Sequence, residues 1–459
     1  MSKQQNGEKT KSIVAMPLLN ANAAGIDVGD TLFCVAVPVD RNPVPVREFG
    51  AFTCDLKSIS AWLQECGIDS IAMESTGVYW KPLFSVLIRD GFEVHLVNAK
   101  HTKNVTGRKT DESDAEWIQK LHSCGLLRSC FLPDEQTETL RTLVRFRKKL
   151  TEDSTRYILR IQKSLELMNI KTHTVISDMV GKTGTAIVEA IIAGERNPEN
   201  FMPFIDSRIK ADKETLKKSL EGNWRKEHLT TLRLSYEMYK IFQQKIEECE
   251  KEIEETLQLY IAAKNEGVIE PLGPNEKKSP DRNGKKPKKK TKNQPRFNTR
   301  AYLTKLHRVD VMDIYGISEI TALEILAETG TDLSQWPTEN HFVGWLNLCP
   351  NNKISGGKLI SSTRLKKKPN LAAQAFRTAA NGLGRSDHWL GDYFRRMKAK
   401  GGNKYAIVAT ARKLAIIYYK MVRYKKDFSP IDMEQYQKKY KAAKIAYLER
   451  KLEQLKQAA

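Results

Sequence analysis

The chain has few cysteines for its length, and they form none of the usual structural patterns. Seven cysteines occur among 459 residues, an odd number, and no two are spaced as C-x-x-C. This usage argues against a disulfide framework and a structural zinc site, and it fits a reducing cytosol. No apolar run approaches the ~18–20 residues that span a bilayer. The polar N-terminal stretch does not predict a signal peptide.

Acidic residues are fewer than basic residues. Asp and Glu total 55 against 76 Lys and Arg, so the formal net charge is +21. A surplus of this size predicts a polyanionic partner, with nucleic acid as the leading candidate. The 40% hydrophobic content argues against general disorder. Charge indicates the partner but leaves the reaction open.

The N-terminal part of the chain has an α/β pattern. Three β-rich runs come first, and helices then alternate with strands at 70–74 and 93–97 before a helix at 110–124. This is the element order of an RNase H-like mixed sheet.

The rest of the chain has a mainly helical pattern. A long amphipathic helix is predicted from 133 to about 170, and a second helical region at 208–264 has the apolar spacing of a coiled coil, which predicts a dimerisation element. The predicted segments are a flexible N-terminus, an α/β domain, long helices that bind RNA and dimerise, a basic flexible insert, a mostly helical C-terminal domain and a basic helical tail, at 1–22, 23–130, 131–265, 266–298, 299–428 and 429–459.

Four acids stand out because of their positions. Asp27 and Glu74 end two predicted strands, and Asp111 and Asp114 open the helix that follows. Acids that converge at one edge of a sheet repel one another and need a cation, and Mg²⁺ with oxygen ligands would serve. Each acid alone also has a structural interpretation, Asp27 as a turn residue and Asp111 as a helix N-cap. Their joint occurrence favours a metal site.

A second cluster of chemically suitable residues is a serine among lysines. Ser355 precedes Gly356 and Gly357, where the backbone can approach a phosphate closely. A hydroxyl among fixed cations suits nucleophilic attack on a phosphodiester. Ser361, Ser362 and Thr363 compete for the same role.

Basic residues gather in three places that are predicted to contact nucleic-acid backbone. The alternative is that those on the long helix line an ordinary solvated face. The candidates lie before the DxxD motif, along the long helix and around the serine: Lys109, Arg141, Arg145, Arg147, Lys148, Arg156, Arg160, Lys353, Lys358, Arg364, Lys366 and Lys367.

With these motifs in place, the chain resembles the DEDD insertion-sequence transposases, described as bridge-RNA-guided serine recombinases. The resemblance covers most of residues 22–425. It is carried by GIDV, MESTGVYWKPL and VNAKHTKNVTGRKTDESDA in the first part and by IYGISEITALEILAETG and LCPNNKISGGK in the second.

The resemblance implies a two-part catalyst. A RuvC-like N-terminal domain would hold Mg²⁺ on Asp27, Glu74, Asp111 and Asp114, and Ser355 of a C-terminal transposase domain would form a covalent link to DNA. A structured noncoding bridge RNA would pair with donor and target double-stranded DNA. The protein would act as a homodimer that assembles into a homotetramer, in the prokaryotic cytoplasm at the nucleoid and without a membrane partner.

Two other functions remain open at the level of the sequence. The chain could be a RuvC-like nuclease or junction resolvase that hydrolyses DNA without a covalent intermediate. It could also be a noncatalytic protein that binds RNA or DNA. A covalent protein–DNA adduct distinguishes the recombinase from both.

Overall fold

A computed structural model of the chain describes residues 17–98, 113–264, 293–364 and 370–458. The chain divides into two compact units, Met1–Leu132 and Pro133–Ala459. No helix in the described ranges is both long enough and apolar enough to cross a membrane.

The described part of the first unit is a mixed α/β domain, which confirms the α/β prediction. Its strands β4 and β5 have the bounds that the sequence predicts. In chain order the elements are β1 Ala23–Val28, β2 Leu32–Ala36, β3 Val46–Gly50, α1 Thr53–Glu65, β4 Ser70–Glu74, α2 Trp80–Arg89, β5 Glu93–Val97 and α3 Asp114–Ser123.

The five strands form one sheet in the order β3-β2-β1-β4-β5. The first three strands are antiparallel, while β1, β4 and β5 run parallel. One face carries the main core, where Ile26 and Met73 pack with α1 and α2 side chains such as Leu63 and Leu87. The other face carries α3, whose Ile118 packs against Ala72 and Val97.

The helix α3 lies unusually close to the sheet because Gly25 has no side chain. A Cβ at this position would lie 2.8 Å from the Gln119 Cα and closer still to the Ala115 carbonyl oxygen. Residues two apart in a strand point to the same face. Asp27 therefore points to the face that α3 covers.

The second unit is mostly helical, as predicted. Its described elements are α4 Glu135–Leu167, α5 Thr172–Val175, α6 Lys182–Ala193, a 3₁₀ turn Pro198–Phe204, α7 Lys213–Lys218, α8 Lys226–Ala263, α9 Thr299–His307, a 3₁₀ turn Val311–Asp313, α10 Glu319–Thr329, α11 Glu339–Trp345, β6 Pro350–Ser355, β7 Lys358–Arg364, α12 Leu371–Gly382, a 3₁₀ turn Leu383–Arg385, α13 Trp389–Tyr424 and α14 Met433–Ala458. The backbone of α13 is not helical at Gly401 and Gly402.

The two long helices α4 and α8 pack antiparallel within the chain. Their side chains meet along the whole length of the pair, at Thr137 with Tyr260, Arg147 with Glu250, Ser154 with Gln243 and Ser164 with Thr231. The apolar side of α8 is buried here, including Leu232, Ile253 and Leu257. The apolar side of α8 therefore has a packing partner inside one chain, and dimerisation through 208–264 stays a prediction.

The stretch that follows α11 is rich in Gly, Ser and Lys and has a regular structure. It forms a two-stranded antiparallel hairpin, in which β6 and β7 close through the pair Ser355 and Lys358. Gly356 and Gly357 make the turn with φ of +55° and +73°. Positive φ at both turn residues is typical of a type I′ turn, which matches the twist of the flanking strands.

We predict that Gly25→Ala destabilises the first unit by about 1–3 kcal/mol or more, because α3 must move away from β1. Urea unfolding followed by tryptophan fluorescence measures the loss. The control is Gly344→Ala in α11, where a Cβ meets nothing within 4 Å and a gain of up to about 1 kcal/mol is expected. Equal stability of the two variants would contradict the close approach.

Candidate active site

Two predicted acids lie side by side at the carboxyl edge of the sheet. The parallel strands β1 and β4 pair through Ile26 and Met73, and Asp27 and Glu74 each follow that pair by one position. Both acids point to the α3 face, since Ala72 packs against Ile118 of that helix. Glu74 is only 8% exposed and accepts a hydrogen bond of 3.0 Å from the Thr76 hydroxyl.

The start of α3 lies at the same edge. Cys34 pairs with Asp27 across β1 and β2, and it lies near Ser113, the N-cap of α3. Burial raises the pKa of the Cys34 thiol, and the negative charges of Glu48, Asp27 and Glu116 raise it further. The neighbourhood of Asp27 is therefore acidic, and the positive end of the α3 dipole faces it.

The described structure changes one part of the acidic motif. Ser113 has an extended backbone, with ψ of 156°, and forms a capping box with Glu116. The helix therefore begins at Asp114, which occupies its first turn. The described helix thus begins at 114 rather than at the predicted 110. Asp111 lies outside the described residues, so its place beside Asp114 stays a prediction.

The donors at this edge are of the right kind for a divalent cation. Carboxylate oxygens are the ligands that Mg²⁺ takes in proteins, and Asp27 and Glu74 share one edge of one face. Within the described ranges, no three His, Cys, Asp or Glu side chains are grouped closely enough to hold a metal ion. Donor type and placement fit such a cation, while the complete ligand set stays a prediction.

The candidate nucleophiles separate onto two faces of the β6–β7 hairpin. Ser355 pairs with Lys358 and Lys353 pairs with Ser361, so these four side chains share one face. We call it the lysine–serine face. Ser362 pairs with Asn352 and donates a 2.7 Å hydrogen bond to its side-chain oxygen.

The hairpin therefore narrows the choice of nucleophile that the sequence left open. Ser355 is exposed beside the turn, with a lysine directly across the ladder. Ser361 is half-buried on the same face, and the Ser362 hydroxyl is engaged by Asn352.

Several cations of the predicted backbone-binding helix face the protein. Arg147 is 4% exposed and binds Glu250 of α8 at 2.6 Å. Arg145 makes two 2.8 Å hydrogen bonds to Glu328, which raise its pKa. Arg141 binds the Ala327 and Glu328 carbonyl oxygens at the end of α10, and Lys148 binds Glu324.

These contacts engage Arg141, Arg145, Arg147 and Lys148 within the chain, and their binding to nucleic acid stays a prediction. Arg145, Arg156 and Arg160 are the exposed members of the predicted set on this helix, and Arg145 is held by Glu328. Arg156 pairs with Asp153, one turn earlier in the helix, and Arg160 stacks on Tyr157 at 4.6 Å. Lys353 and Lys358 are exposed on the hairpin. The described side chains do not include those of Lys109, Arg364, Lys366 and Lys367.

A second polar cluster lies at the opposite end of the sheet and was not predicted. The Ser70 Oγ and His122 Nε2 atoms are 2.8 Å apart and buried. Burial lowers the pKa of His122 to about 4, with His95 adding to the shift. A histidine that stays neutral and is hydrogen-bonded between β4 and α3 acts as a packing residue. His122 contacts Ser70 at the start of β4, whereas Glu74 lies at the other end of this strand.

Two family models match the chain. A DEDD model of the IS110 group, described as a transposase, matches residues 24–170, and a model described as the IS116/IS110/IS902 transposase family matches 310–395. The first match contains the acidic edge, and the second contains the hairpin with Ser355. No curated protein matches the chain significantly.

We predict that Arg147→Met lowers the free energy of unfolding by about 3–5 kcal/mol, because it leaves Glu250 buried without its charge partner. Adding Glu250→Gln recovers part of this loss, since Gln still accepts the Arg296 backbone N–H. Chemical denaturation of the single and double variants measures the coupling.

The matched control is the exposed Arg156→Met, which should change stability by less than about 0.5 kcal/mol. An Arg147 variant with full stability would contradict the structural role that we assign to this side chain.

Proposed function

We propose that this chain, which belongs to the IS110 family of transposases, moves an insertion sequence by breaking and rejoining DNA through a serine and a carboxylate-bound divalent cation. The observation that carries the proposal is the pair Asp27 and Glu74 on adjacent strand ends, in a chain whose second matched segment holds an exposed serine among lysines. The family match supports transposition of DNA, and the chemistry is our inference.

The first unit supplies the acids. Its sheet order is compatible with an RNase H-like, RuvC-like domain, in which acids gather at the carboxyl edge of the central strands. We assign Asp27, Glu74, Asp111 and Asp114 as the residues that would hold Mg²⁺. When bound there, the cation would neutralise charge on phosphate oxygens.

The second unit supplies the nucleophile. In the proposed step the Ser355 Oγ attacks a DNA phosphorus, one Oγ–P bond forms and one P–O bond to a sugar breaks. The serine gives its proton to solvent, and the released sugar oxygen takes a proton from solvent. A sugar hydroxyl of another strand then attacks the phosphoserine and releases Ser355 unchanged. The number of phosphate ester bonds is conserved, so no ATP is needed.

The positions of the lysines support this step. Lys358 lies directly opposite Ser355, and Lys353 lies two residues before it on the same face. Cations fixed beside the hydroxyl stabilise the negative charge that develops on the phosphate in the transition state. These positive charges are in place before the reaction begins.

Nucleic-acid partners follow from the charge and from the resemblance. Donor and target DNA are the substrates, and the surplus of +21 supports binding to their backbones. We include a bridge RNA that selects the sites by base pairing, and assembly of two and then four copies, as parts of the proposal that rest on the resemblance. Arg156 and Arg160 are the cations of α4 that we assign to backbone contacts.

A hydrolytic nuclease would use the same acids but would transfer the phosphate to water. The hairpin favours the serine route, because it places a nucleophile-capable side chain and two cations together on an exposed ribbon. The two reactions differ in a product that can be isolated, since only the serine route attaches protein to DNA.

We predict that Ser355→Ala abolishes the covalent protein–DNA adduct, by ~10³-fold or more, because the attacking oxygen is lost. A labelled suicide DNA substrate and a denaturing gel measure the adduct. The fold and nucleic-acid binding should be unchanged, because Ser355 is exposed.

Ser362→Ala is the matched control and should keep the adduct, because its hydroxyl is bound to Asn352. Loss of the adduct in Ser361→Ala alone, with Ser355→Ala still active, would move the nucleophile to Ser361. Cleavage by the unmodified protein without any adduct would establish the hydrolytic reaction instead.

We predict that Asp27→Asn and Glu74→Gln each reduce recombination by ~10²-fold or more and weaken Mg²⁺ binding, because each removes one negative ligand. Calorimetric titration with Mg²⁺ gives a readout independent of activity. Asp69→Asn, at the amino end of β4 and exposed, should leave both quantities unchanged. Full recombination by the Asp27 variant would support a noncatalytic acidic edge.

A further inference from the structure

The tip of the β6–β7 hairpin exposes apolar side chains in the described part of the chain. Ile354, Leu359 and Ile360 are 65%, 58% and 67% exposed. A two-stranded ribbon in water is marginally stable by itself and normally needs a packed face. The exposure of this ribbon therefore points to a surface that becomes buried when the protein binds something.

The apolar side chains are organised by the ladder. Ile354 pairs with Leu359 next to the turn, so the two side chains share one face. The neighbouring pair, Ser355 and Lys358, points the other way. The hairpin thus has an apolar face, formed by Ile354 and Leu359, opposite the lysine–serine face.

Charge identifies the partner. Residues 350–370 contain five lysines and one arginine and no acid. A second copy of this hairpin would repel the first, while a polyanion would be attracted. Nucleic acid is also the polyanion that offers flat apolar surfaces, namely the faces of its bases, once a base pair or a base step is opened.

We infer that the hairpin is a wedge that separates the strands of duplex DNA beside the phosphate that the serine attacks. This inference rests on the proposed function. The lysine–serine face follows the backbone of the strand to be cut, and Ile354 and Leu359 pack on the base pair that borders the opened site. The ribbon then lies between the separated strands, with its charged face toward the backbone and its apolar face toward the bases.

The wedge explains why a nucleophilic ribbon carries exposed apolar residues. Strand exchange requires the cut end to leave its partner, and opening a base pair exposes apolar base faces to water. Packing these faces against Ile354 and Leu359 removes both apolar surfaces from water together. The hairpin and the opened duplex stabilise each other.

The test is the double variant Ile354→Ser with Leu359→Ser. Both side chains are more than half exposed, so the change removes little packing from the free protein. A DNA duplex with 2-aminopurine next to the attacked phosphate should gain fluorescence, by about twofold or more, with the unmodified protein. The variant should give no gain.

A pre-opened substrate separates the wedge from the chemistry. We expect the variant to form about tenfold less serine adduct on intact duplex. On DNA with a mismatched bubble at the same position, its yield should lie within about twofold of that of the unmodified protein. Ser355→Ala should form no adduct on either substrate, so that failure of the proposed function is recognised separately.

The control is Ile88→Ser on α2, another exposed isoleucine, on a helix that packs on the opposite face of the sheet from α3. It should behave as the unmodified protein on both substrates. Equal loss of adduct by the hairpin variant on duplex and bubble would overturn the wedge, as would unchanged fluorescence. An effect confined to 2-aminopurine in an RNA duplex, or a change in oligomer mass with normal DNA opening, would assign the apolar face to RNA or to a second copy.

Discussion

The close approach of α3 to β1 at Gly25 is the contact on which the first unit depends. A strand residue with any side chain would hold the helix away from the sheet. Because Gly25 permits contact, the N-terminus of α3 comes to the edge where Asp27 follows two residues later. Ser113 at the helix start lies near Cys34, the residue that pairs with Asp27 across the ladder. One missing Cβ therefore sets the position of Asp114 relative to Asp27 and Glu74.

The acidic edge was predictable from the sequence because strands have a simple period. Apolar runs ending at Asp27 and Glu74 indicate buried strands, and parallel neighbours end at the same edge of a sheet. The start of α3 was harder to predict. Asp111, Ser113 and Asp114 are all good N-terminal residues, and only the capping box between Ser113 and Glu116 decides between them. That pair is a readable signal in TDESDAE, where Ser is followed three residues later by Glu.

The cations of α4 could not be assigned from sequence in the same way. An amphipathic helix with arginines on its polar side has the same sequence pattern whether that side contacts phosphate or protein. The partners of Arg147 and Arg145 are Glu250 and Glu328, which lie 103 and 183 positions away. The spacing of residues within one helix cannot predict a partner that lies so far away in the sequence. The acidic run of α8, which stands out in a basic chain, is the one sequence feature that indicates where buried partners for arginine could come from.

The sequence of the hairpin contains a turn signal, but its overall composition resembles that of a loop. Two glycines between two short runs are a hairpin signal, yet the abundance of Gly, Ser and Lys is more typical of a loop. Recognising the ladder changes what Ser355 can do. A loop would leave its hydroxyl without a fixed neighbour, whereas the pair with Lys358 keeps a cation beside it. The same ladder forces Ile354 and Leu359 onto the other face, so the geometry that prepares the serine also creates an apolar surface. Both faces of the ribbon therefore follow from one turn, and the opened DNA that we propose as its partner would offer phosphate to one face and base surfaces to the other.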